Sequence, residues 1–327
     1  DQEVLRAAYE ICRGLPAKGP PPAALVDFGM RVHGLIDPPP HLVVADVPEG
    51  GTVAFSEQLQ GRLAGVLKRR RYRRVGFALC KPLLTPQRTR AVVALFEGRA
   101  RLAGAPRRLA LGARRRLRLQ VLSSHRDPQL VIADPRGQVS SRRMRLEGEA
   151  RWGDLRCARA GLYRVEVTAY GRHGTEVLAN FPVYCKVAPP KAMKVWAARA
   201  ALASRQALER QLLEQTNALR RKSGLKALAP HAALAKIARA HCQDMRTNDF
   251  VGHVSPRTGG PAERLRRAKL PFLVVRENVA RAYSVAEALE QLAQSPAHLS
   301  NLLNRDTTHL GVGIEIEEAA LPLRPEV

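Results

Sequence analysis

Four short motifs between residues 250 and 313 constrain this chain more than any other part of its sequence. They read Phe-Val-Gly-His-Val-Ser-Pro at 250–256, Arg-Glu-Asn-Val-Ala at 276–280, Ser-Pro-Ala-His-Leu-Ser-Asn-Leu-Leu at 295–303 and His-Leu-Gly-Val-Gly at 309–313. His253, Glu277 and His298 each lie at the start or end of an apolar element. Two neutral imidazoles and a carboxylate that face one cleft can hold a divalent metal or polarise a bound ligand. The motifs therefore predict a ligand site formed by these three side chains.

In this order the motifs resemble the CAP superfamily, the secreted fold shared by cysteine-rich secretory proteins, antigen 5 and plant pathogenesis-related proteins, and above all its bacterial branch. The resemblance begins near Leu212 with Leu-Leu-Glu-Gln-Thr-Asn-Ala-Leu-Arg, continues through Ala-Arg-Ala-His-Cys-Gln-Asp-Met at 238–245, and ends at Ile316. It covers about the last third of the chain. It implies that residues 204–327 form a CAP domain, an α/β/α sandwich.

The resemblance also implies a site. CAP proteins often carry two histidines and two acids in a central cleft, and His253, Glu277 and His298 match three of those positions. Three ligands with one open position are typical of catalytic zinc centres, so the implied cofactor is Zn or another divalent metal. Glu277 follows the apolar run 270–275, which we interpret as a buried strand, and a buried carboxylate requires partners.

Two departures from the family pattern argue against a tight, fully ligated metal site. The fourth position falls near Ser295, where no acid is present. Glu287 and Glu290 lie on the preceding helix and could replace that acid only by reaching back. Leu292 stands where the family commonly has a tryptophan.

Several neighbouring polar residues are predicted to be structural. Ser295 precedes Pro296, so it suits a helix N-cap and places His298 in the first turn, where the helix dipole disfavours imidazolium. Asn278 is expected to anchor backbone, and Asn301 is given a structural role. His241 falls on the apolar stripe of a helix and His309 on the approach to a strand, and both are interpreted as structural.

The five cysteines favour an oxidising compartment. Cys157 and Cys185 flank adjacent strand-like runs, and Cys12 and Cys80 lie in one segment, so both pairs are disulfide candidates. Cys242 would remain a buried free thiol. The first residue is Asp1 rather than Met, so any signal peptide or lipid anchor would precede this chain. We expect a secreted, periplasmic or cell-envelope protein with no transmembrane span, since no apolar run approaches the roughly 18 residues that a span requires.

Residues 1–100 are predicted to form a small α/β domain. A helical pattern at Val4–Cys12 is followed by Pro-rich breaks, a helix over 55–68, and a strand pair at 74–79 and 91–96. The segment could be a degenerate CAP-like copy, with Leu63 in the place of His298. Chance similarity among short apolar strings is the alternative. The copy would require a second strand from residues 319–327, unless the C-terminus is clipped.

Residues 104–188 consist of short alternating apolar runs separated by turns, which predicts an antiparallel β-sandwich. Residues 189–203 are interpreted as a linker and helix. Much of the net charge of +25 lies around this sandwich. The stretch from Arg99 to Arg159 holds 16 arginines and 5 acidic residues, which leaves a net charge of +11. A surface of this kind attracts acidic polymers, although a solvated basic face explains the same count.

The overall prediction is an α+β multidomain protein with three function hypotheses. The first is non-enzymatic binding of a small molecule, lipid or peptide in the CAP cleft, with or without a divalent metal. The second is a metal-dependent hydrolase of a peptide or an envelope polymer, with Glu277 as general base or metal ligand. The third is an adhesin that binds an acidic envelope polymer through the sandwich arginines. No nucleophile beside a base and no His-Glu-x-x-His pattern is present, and no specific nucleic-acid partner is expected.

Overall fold

The computed structural model describes residues 1–17, 20–48, 53–68, 71–193 and 204–316. The helix predicted from residue 195 and the strand predicted within residues 319–327 lie outside these ranges. The chain divides into two compact units. The first contains Asp1–Ser124, Met144–Val165 and Leu178–Ala198, and the second contains His125–Arg143, Glu166–Val177 and Arg199–Val327. The mixed α+β class is confirmed, and the division runs through the central strands.

The N-terminal segment has helices on both faces of a three-stranded antiparallel sheet. Its elements are α1 (Gln2–Arg13), α2 (Ala23–Val32), β1 (His41–Val47), α3 (Val53–Leu67), β2 (Arg74–Cys80) and β3 (Thr89–Phe96), with β3 in the centre of the sheet. Apolar residues of α1 and α2 pack on one face, and Leu59, Leu63 and Val66 of α3 pack on the other. This layering is what a CAP-like copy requires, and the repeat stays a prediction. The sequence analysis missed α2 and β1.

Both predicted disulfides are confirmed. Cys12 of α1 is bonded to Cys80 of β2, and Cys157 is bonded to Cys185, with Cα–Cα distances of 6.1 and 5.7 Å that suit a disulfide. Cys242 is the free cysteine, and burial raises the pKa of its thiol to about 11. The first bridge ties a helix to the sheet that it covers, so it stabilises the N-terminal core.

The central segment is a two-sheet β structure. One sheet has the order β4 (Ala100–Ala103), β6 (Arg114–Val121), β10 (Ala150–Arg156), β9 (Arg145–Glu147); the other has the order β5 (Arg108–Leu109), β12 (Gly174–Cys185), β11 (Gly161–Gly171), β7 (Arg126–Ala133), β8 (Val139–Arg143). The pairs β4–β6, β6–β10, β9–β10 and β7–β8 are antiparallel, as predicted. The short β5–β12 pair is parallel. Strands β11 and β12 follow each other through a two-residue turn, so they form a hairpin.

The C-terminal segment is mainly helical. Its elements are α4 (Arg205–Lys222), β13 (Ala229–Pro230), α5 (Ala232–Thr247), α6 (Pro261–Arg267), α7 (Val285–Gln294), α8 (Pro296–Leu302) and β14 (His309–Leu310). Helix α4 begins at an N-cap, Ser204, and ends before Gly224, whose φ of 72° suits the residue that terminates a helix. Strands β13 and β14 form a parallel pair of two residues each. None of the helices in the described ranges is long and apolar enough to cross a membrane.

One local prediction is wrong. Residues 270–275 do not form a buried strand, and the Leu273 side chain is fully exposed. An apolar run becomes a strand only where another strand pairs with it, and these residues pair with none within the described chain. Glu277 therefore lies on an irregular segment between α6 and α7.

Replacing Cys12 and Cys80 with alanine should lower the free energy of unfolding by about 2–4 kcal/mol, because the bridge closes a loop across a sequence separation of 68. Urea unfolding of the oxidised double variant and of the parent protein measures this difference. Cys242→Ser is the matched control, since it removes a thiol that forms no bridge. A loss of less than about 1 kcal/mol, equal to that of the control, would contradict a stabilising role for the bridge.

Candidate functional site

The structure brings the three predicted site residues together in the second unit. His253 Nδ1 lies 3.0 Å from Glu277 Oε1, and the centres of the His253 and His298 rings are 6.5 Å apart. The His253 and Glu277 side chains are 22% and 20% exposed, so solvent still reaches the site. Residues separated by up to 45 positions in the sequence therefore share one half-buried cluster.

Arg264, which the sequence analysis did not single out, holds Glu277 in place. Its guanidinium lies on α6, is 6% exposed, and donates to Glu277 Oε2. The same guanidinium donates to the carbonyl oxygens of His253 and Gly259, at 3.0 and 2.7 Å. Both carboxylate oxygens of Glu277 are thus engaged, one by His253 and the other by Arg264.

These contacts keep Glu277 ionised. Burial alone would raise the pKa of its carboxyl, but the hydrogen bond from His253 and the positive charge of Arg264 outweigh burial, and the pKa is lowered. An ionised carboxylate only accepts hydrogen bonds, so His253 must donate from Nδ1. In the neutral ring this leaves Nε2 as a lone pair.

His298 is oriented by the residue that caps its own helix. Ser295 Oγ accepts from the His298 backbone N–H and lies 2.7 Å from His298 Nδ1, which confirms Ser295 as the N-cap of α8. Burial, followed by the charge of nearby His253, lowers the pKa of His298 to about 4. The ring is therefore neutral near pH 7.

Ser295 is in turn bound by a carboxylate from the β11–β12 hairpin. Glu166 on β11 is fully buried, and its Oε1 and Oε2 lie 2.8 and 3.0 Å from Ser295 Oγ. Oε2 also accepts from the backbone N–H of Ala297 at 3.1 Å. On the other side of the site, the carbonyl of His173 in the hairpin turn accepts from the backbone N–H of His253 at 2.8 Å.

The acids that were considered for the fourth position lie elsewhere. Glu287 accepts from the backbone N–H of Tyr283 at the start of α7, and Glu290 accepts from Gln294 on the same helix. These contacts, and that of Glu287 with Gln291, lie on α7 or just before it. Leu292 is buried, as an apolar residue in the place of a tryptophan should be.

The other predicted structural residues brace the site. Asn278 Nδ2 donates to the carbonyl of His298 at 3.1 Å, and Asn301 Nδ2 donates to the carbonyl of Glu277 at 3.0 Å and to Asn278 Oδ1 at 2.9 Å. His241 is buried, and its Nε2 lies 2.8 Å from the carbonyl of Gly252, as expected of a core histidine. His309 is exposed on β14 and contacts Thr308, away from the cluster.

The donor set fits a weakly held divalent ion better than a closed centre. Among the residues that the structure describes, no group of three or more His, Cys, Asp or Glu could hold a metal ion. Glu277 is occupied by His253 and Arg264, which leaves the two imidazoles as the available ligands. Nε2 of His253 and Nε2 of His298 have no hydrogen-bond partner within the described ranges. A metal bound here would complete its shell with water.

Comparison with known proteins identifies the segment that carries this site. The family model of the cysteine-rich secretory protein family, CAP, matches residues 213–320. Residues 213–320 thus have the sequence pattern of a CAP domain. The resemblance found from the sequence motifs is confirmed for this third of the chain.

Two relatives from Bacillus subtilis (strain 168) are similar to part of this chain. "Uncharacterized protein YkwD" is 35% identical over 127 residues, which are 38% of this chain and 49% of the relative. "Uncharacterized membrane protein YlbC" is 38% identical over 108 residues, which are 33% of this chain and 31% of the relative. The matches thus span about half the length of the first relative and under a third of the second.

A solved structure with similarity to the chain is that of an extracellular protein containing a SCP domain from Bacillus anthracis str. Ames. It is 19% identical, with a TM-score of 0.34, and the match covers 61% of this chain and 78% of the other.

Sequence reasoning missed two residues that contact the CAP site, Arg264 and Glu166. Arg264 is one of three arginines on the short helix α6, and nothing in the local pattern separates it from the other two. Glu166 alternates with the buried residues Val165 and Val167, which is also the pattern of an acid that faces solvent. A single polar residue in a strand that is buried on both faces would have indicated Glu166. Burial of the second face, however, is a property of the tertiary structure.

The low pKa of His298 predicts a pH dependence of stability. An unfolded histidine titrates near pH 6.5, so between pH 6.5 and about 4 the unfolded chain binds a proton that the folded chain excludes. The contribution is complete above pH 6.5 and is lost as the pH falls, by up to about 3 kcal/mol. Glu277 adds a separate loss of stability at lower pH. Because its folded pKa is lowered, the stabilisation by its carboxylate is complete above the unfolded pKa of about 4.3 and is lost as the pH falls below that value.

Urea unfolding of the metal-free protein at intervals from pH 7 to pH 4 measures this loss. His298→Asn should flatten the segment between pH 6.5 and 4.5 relative to the parent. His309→Asn, which replaces an exposed histidine, should leave it unchanged. Identical slopes for the parent and His298→Asn would show that His298 is not held neutral.

Proposed function

We propose that this is an exported bacterial CAP-domain protein that binds a ligand at His253 and His298 without converting it. One observation carries the proposal: both rings are held at Nδ1, and neither Nε2 has a partner in the described chain. Two neutral imidazoles presented in this way accept hydrogen bonds from ligand hydroxyl or amide groups, or bind a divalent cation. The ligand is a small molecule, lipid or peptide that offers such donors.

The environment of Glu277 favours binding over hydrolysis. A general base works best when its pKa lies near the operating pH, whereas the pKa of Glu277 is lowered and its oxygens are held by His253 and Arg264. A bound zinc ion would supply Lewis acidity. The residues of this chain would contribute the two imidazoles and a fixed negative charge beside His253.

Export is supported by the two disulfides. Structural disulfides persist in oxidising compartments and are rare in the cytosol. Cys12–Cys80 and Cys157–Cys185 each have a Cα separation that suits a disulfide. We therefore propose a secreted, periplasmic or envelope location.

Zinc itself is the first probe of the site. Isothermal titration of the full chain with Zn²⁺ should detect binding, and His253→Ala or His298→Ala should weaken it by about tenfold or more. His309→Ala is the matched control, because it removes an exposed imidazole on β14. Equal Zn²⁺ affinity for all four proteins would exclude this site for metal.

The same variants distinguish the hydrolase hypothesis. The parent and His298→Ala are incubated with purified peptidoglycan and with a denatured protein, with and without a chelator. The binding proposal expects no turnover in any sample. Turnover that both the chelator and His298→Ala abolish would favour the hydrolase.

A second candidate function rests on the arrangement of arginines on one sheet of the first unit. Directly opposed residues of antiparallel strands share a face, and the register of β4, β6, β9 and β10 places six exposed arginines on the same side. These are Arg101, Arg114, Arg116, Arg118, Arg145 and Arg156. We call this side the arginine face.

The arginine face keeps an excess of positive charge. Arg116 pairs with Glu147, and Arg145 pairs with Asp154 at 3.2 Å. Ion pairs to the other four arginines are absent from the described residues. The guanidinium of Arg116 lies 4.2 Å above the Trp152 ring on this face. A regular basic face with an aromatic group suits an acidic polymer, and we propose it as a secondary binding surface.

Charge reversal tests the arginine face. Arg114→Glu with Arg118→Glu should lower the affinity for heparin, used as the acidic polymer, by about tenfold at moderate ionic strength. Arg210→Glu with Arg221→Glu, on exposed positions of α4, makes the same change in net charge. Elution from a heparin column in a salt gradient ranks the three proteins. If both double variants elute together, the attraction reflects net charge and not this face.

A further inference from the structure

Glu166 makes contacts that a strand residue facing solvent would not make. It lies on β11, outside the residues matched by the CAP model, and is fully buried. Its carboxylate spans Ser295 Oγ and the Ala297 backbone N–H, and Ser295 Oγ lies 2.7 Å from His298 Nδ1. A continuous path of polar atoms therefore joins the β11–β12 hairpin to one of the two site imidazoles.

With Glu166 ionised, the protons along this path have one consistent arrangement. The backbone N–H of Ala297 donates to Glu166, and a carboxylate only accepts. The single hydroxyl proton of Ser295 is then donated to Glu166. Ser295 Oγ can serve His298 only as an acceptor, so the ring proton of His298 sits on Nδ1. Nε2 is left as a lone pair.

Nε2 of His253 is also left as a lone pair, but here a different contact holds the ring proton on Nδ1. His253 donates from Nδ1 to Glu277 directly, at 3.0 Å. Its backbone N–H and that of Val254 both donate to the carbonyl of His173, in the turn of the same hairpin. The hairpin thus braces the backbone beside one imidazole and contacts the cap of the other.

We propose that Glu166 is a positioning residue of the CAP site. Through Ser295 it fixes His298 in the tautomer whose Nε2 is free to bind, and it supplies from another segment the acid that the CAP domain lacks near Ser295. The β11–β12 hairpin then contributes to the ligand site and is more than an appended module. The consequence for binding rests on the function proposed above, whereas the effect on the tautomer does not.

If Glu166 only capped α8, Glu166→Gln would leave the tautomer of His298 unchanged. The proposal predicts that the tautomer changes although the cap is kept. Glu166→Gln keeps one oxygen that accepts from the Ala297 backbone N–H, so the cap survives. Its amide group can also donate to Ser295 Oγ, which frees the serine proton to be donated to His298 Nδ1. The proton of the ring then moves to Nε2.

Nitrogen-15 spectra of the histidine rings of the metal-free full chain at pH 7 test the proposal. The His298 signals are assigned with His298→Asn. The parent should show protonated Nδ1 and unprotonated Nε2, and Glu166→Gln should shift the ring toward the reverse. Glu176→Gln is the matched control, because Glu176 lies on β12 and pairs with His125, with His125 Nε2 3.2 Å from Glu176 Oε2. The control should leave His298 unchanged.

Zn²⁺ titration gives the second measurement. If the parent binds Zn²⁺, Glu166→Gln should weaken binding by about 10- to 100-fold, as loss of a residue that orients a metal ligand does. If the parent binds none, the metal part of the proposed function fails, and the spectra still decide the role of Glu166.

Ser295→Ala is a second variant that tests the proposal if Glu166→Gln does not fold. It breaks the same path at the serine and leaves Glu166 bonded to the Ala297 N–H, so it should also release the Nδ1–H tautomer. A parent protein with its His298 proton on Nε2 would overturn the proposal. A folded Glu166→Gln with the parent's tautomer would overturn it equally.

Discussion

The ion pair between Arg264 and Glu277 is the interaction on which the site depends. Arg264 is almost fully buried, and it donates to the carbonyls of His253 and Gly259 on the loop before α6 and to Glu277 on the loop after it. Loss of either partner would leave a buried charge unpaired, which typically costs several kcal/mol. Since Glu277 is held by this pair, it holds His253 in turn. The orientation of the His253 ring is thus set by the Arg264–Glu277 ion pair rather than by the loop that carries His253.

The two imidazoles are oriented by different contacts. His253 uses a direct carboxylate, Glu277, which remains ionised because Arg264 and His253 outweigh its burial. His298 uses its own helix cap, and burial lowers its pKa to about 4. With both rings neutral, such a site offers two Nε2 lone pairs to a ligand. It suits ligands with hydroxyl or amide donors, or a cation, better than anions.

The arginine face offers the opposite chemistry on the other unit. Its charge follows from period-two alternation on β6, where Leu117 and Leu119 fill the core and Arg116 and Arg118, which alternate with them, point outward. The ligand site and the arginine face therefore suit different partners. The two proposed functions therefore use surfaces of different chemistry.

Much of this molecule follows from short-range patterns. The helices near residues 205–247 and the cap at Ser295 depend on neighbours within a few positions, and they agree with the structure. The cysteine pairs, with sequence separations of 68 and 28, were predicted from their place in the same segment, and they agree as well. The apolar run 270–275 failed because strand formation needs a partner that a local pattern does not contain. Strand β1 was missed for a related reason: it pairs with β3, some fifty residues later in the chain.

The sequence by itself determined which residues are candidates for the ligand site, His253, Glu277 and His298, because the CAP motifs are contiguous strings that can be read without coordinates. Only the tertiary structure decided how those side chains are held. Glu166 and Ser295 are 129 positions apart, and Glu166 alternates along its strand as a solvent-facing acid would. The physical reason is that burial and hydrogen-bond partners are properties of packed surfaces, which form only when distant segments meet.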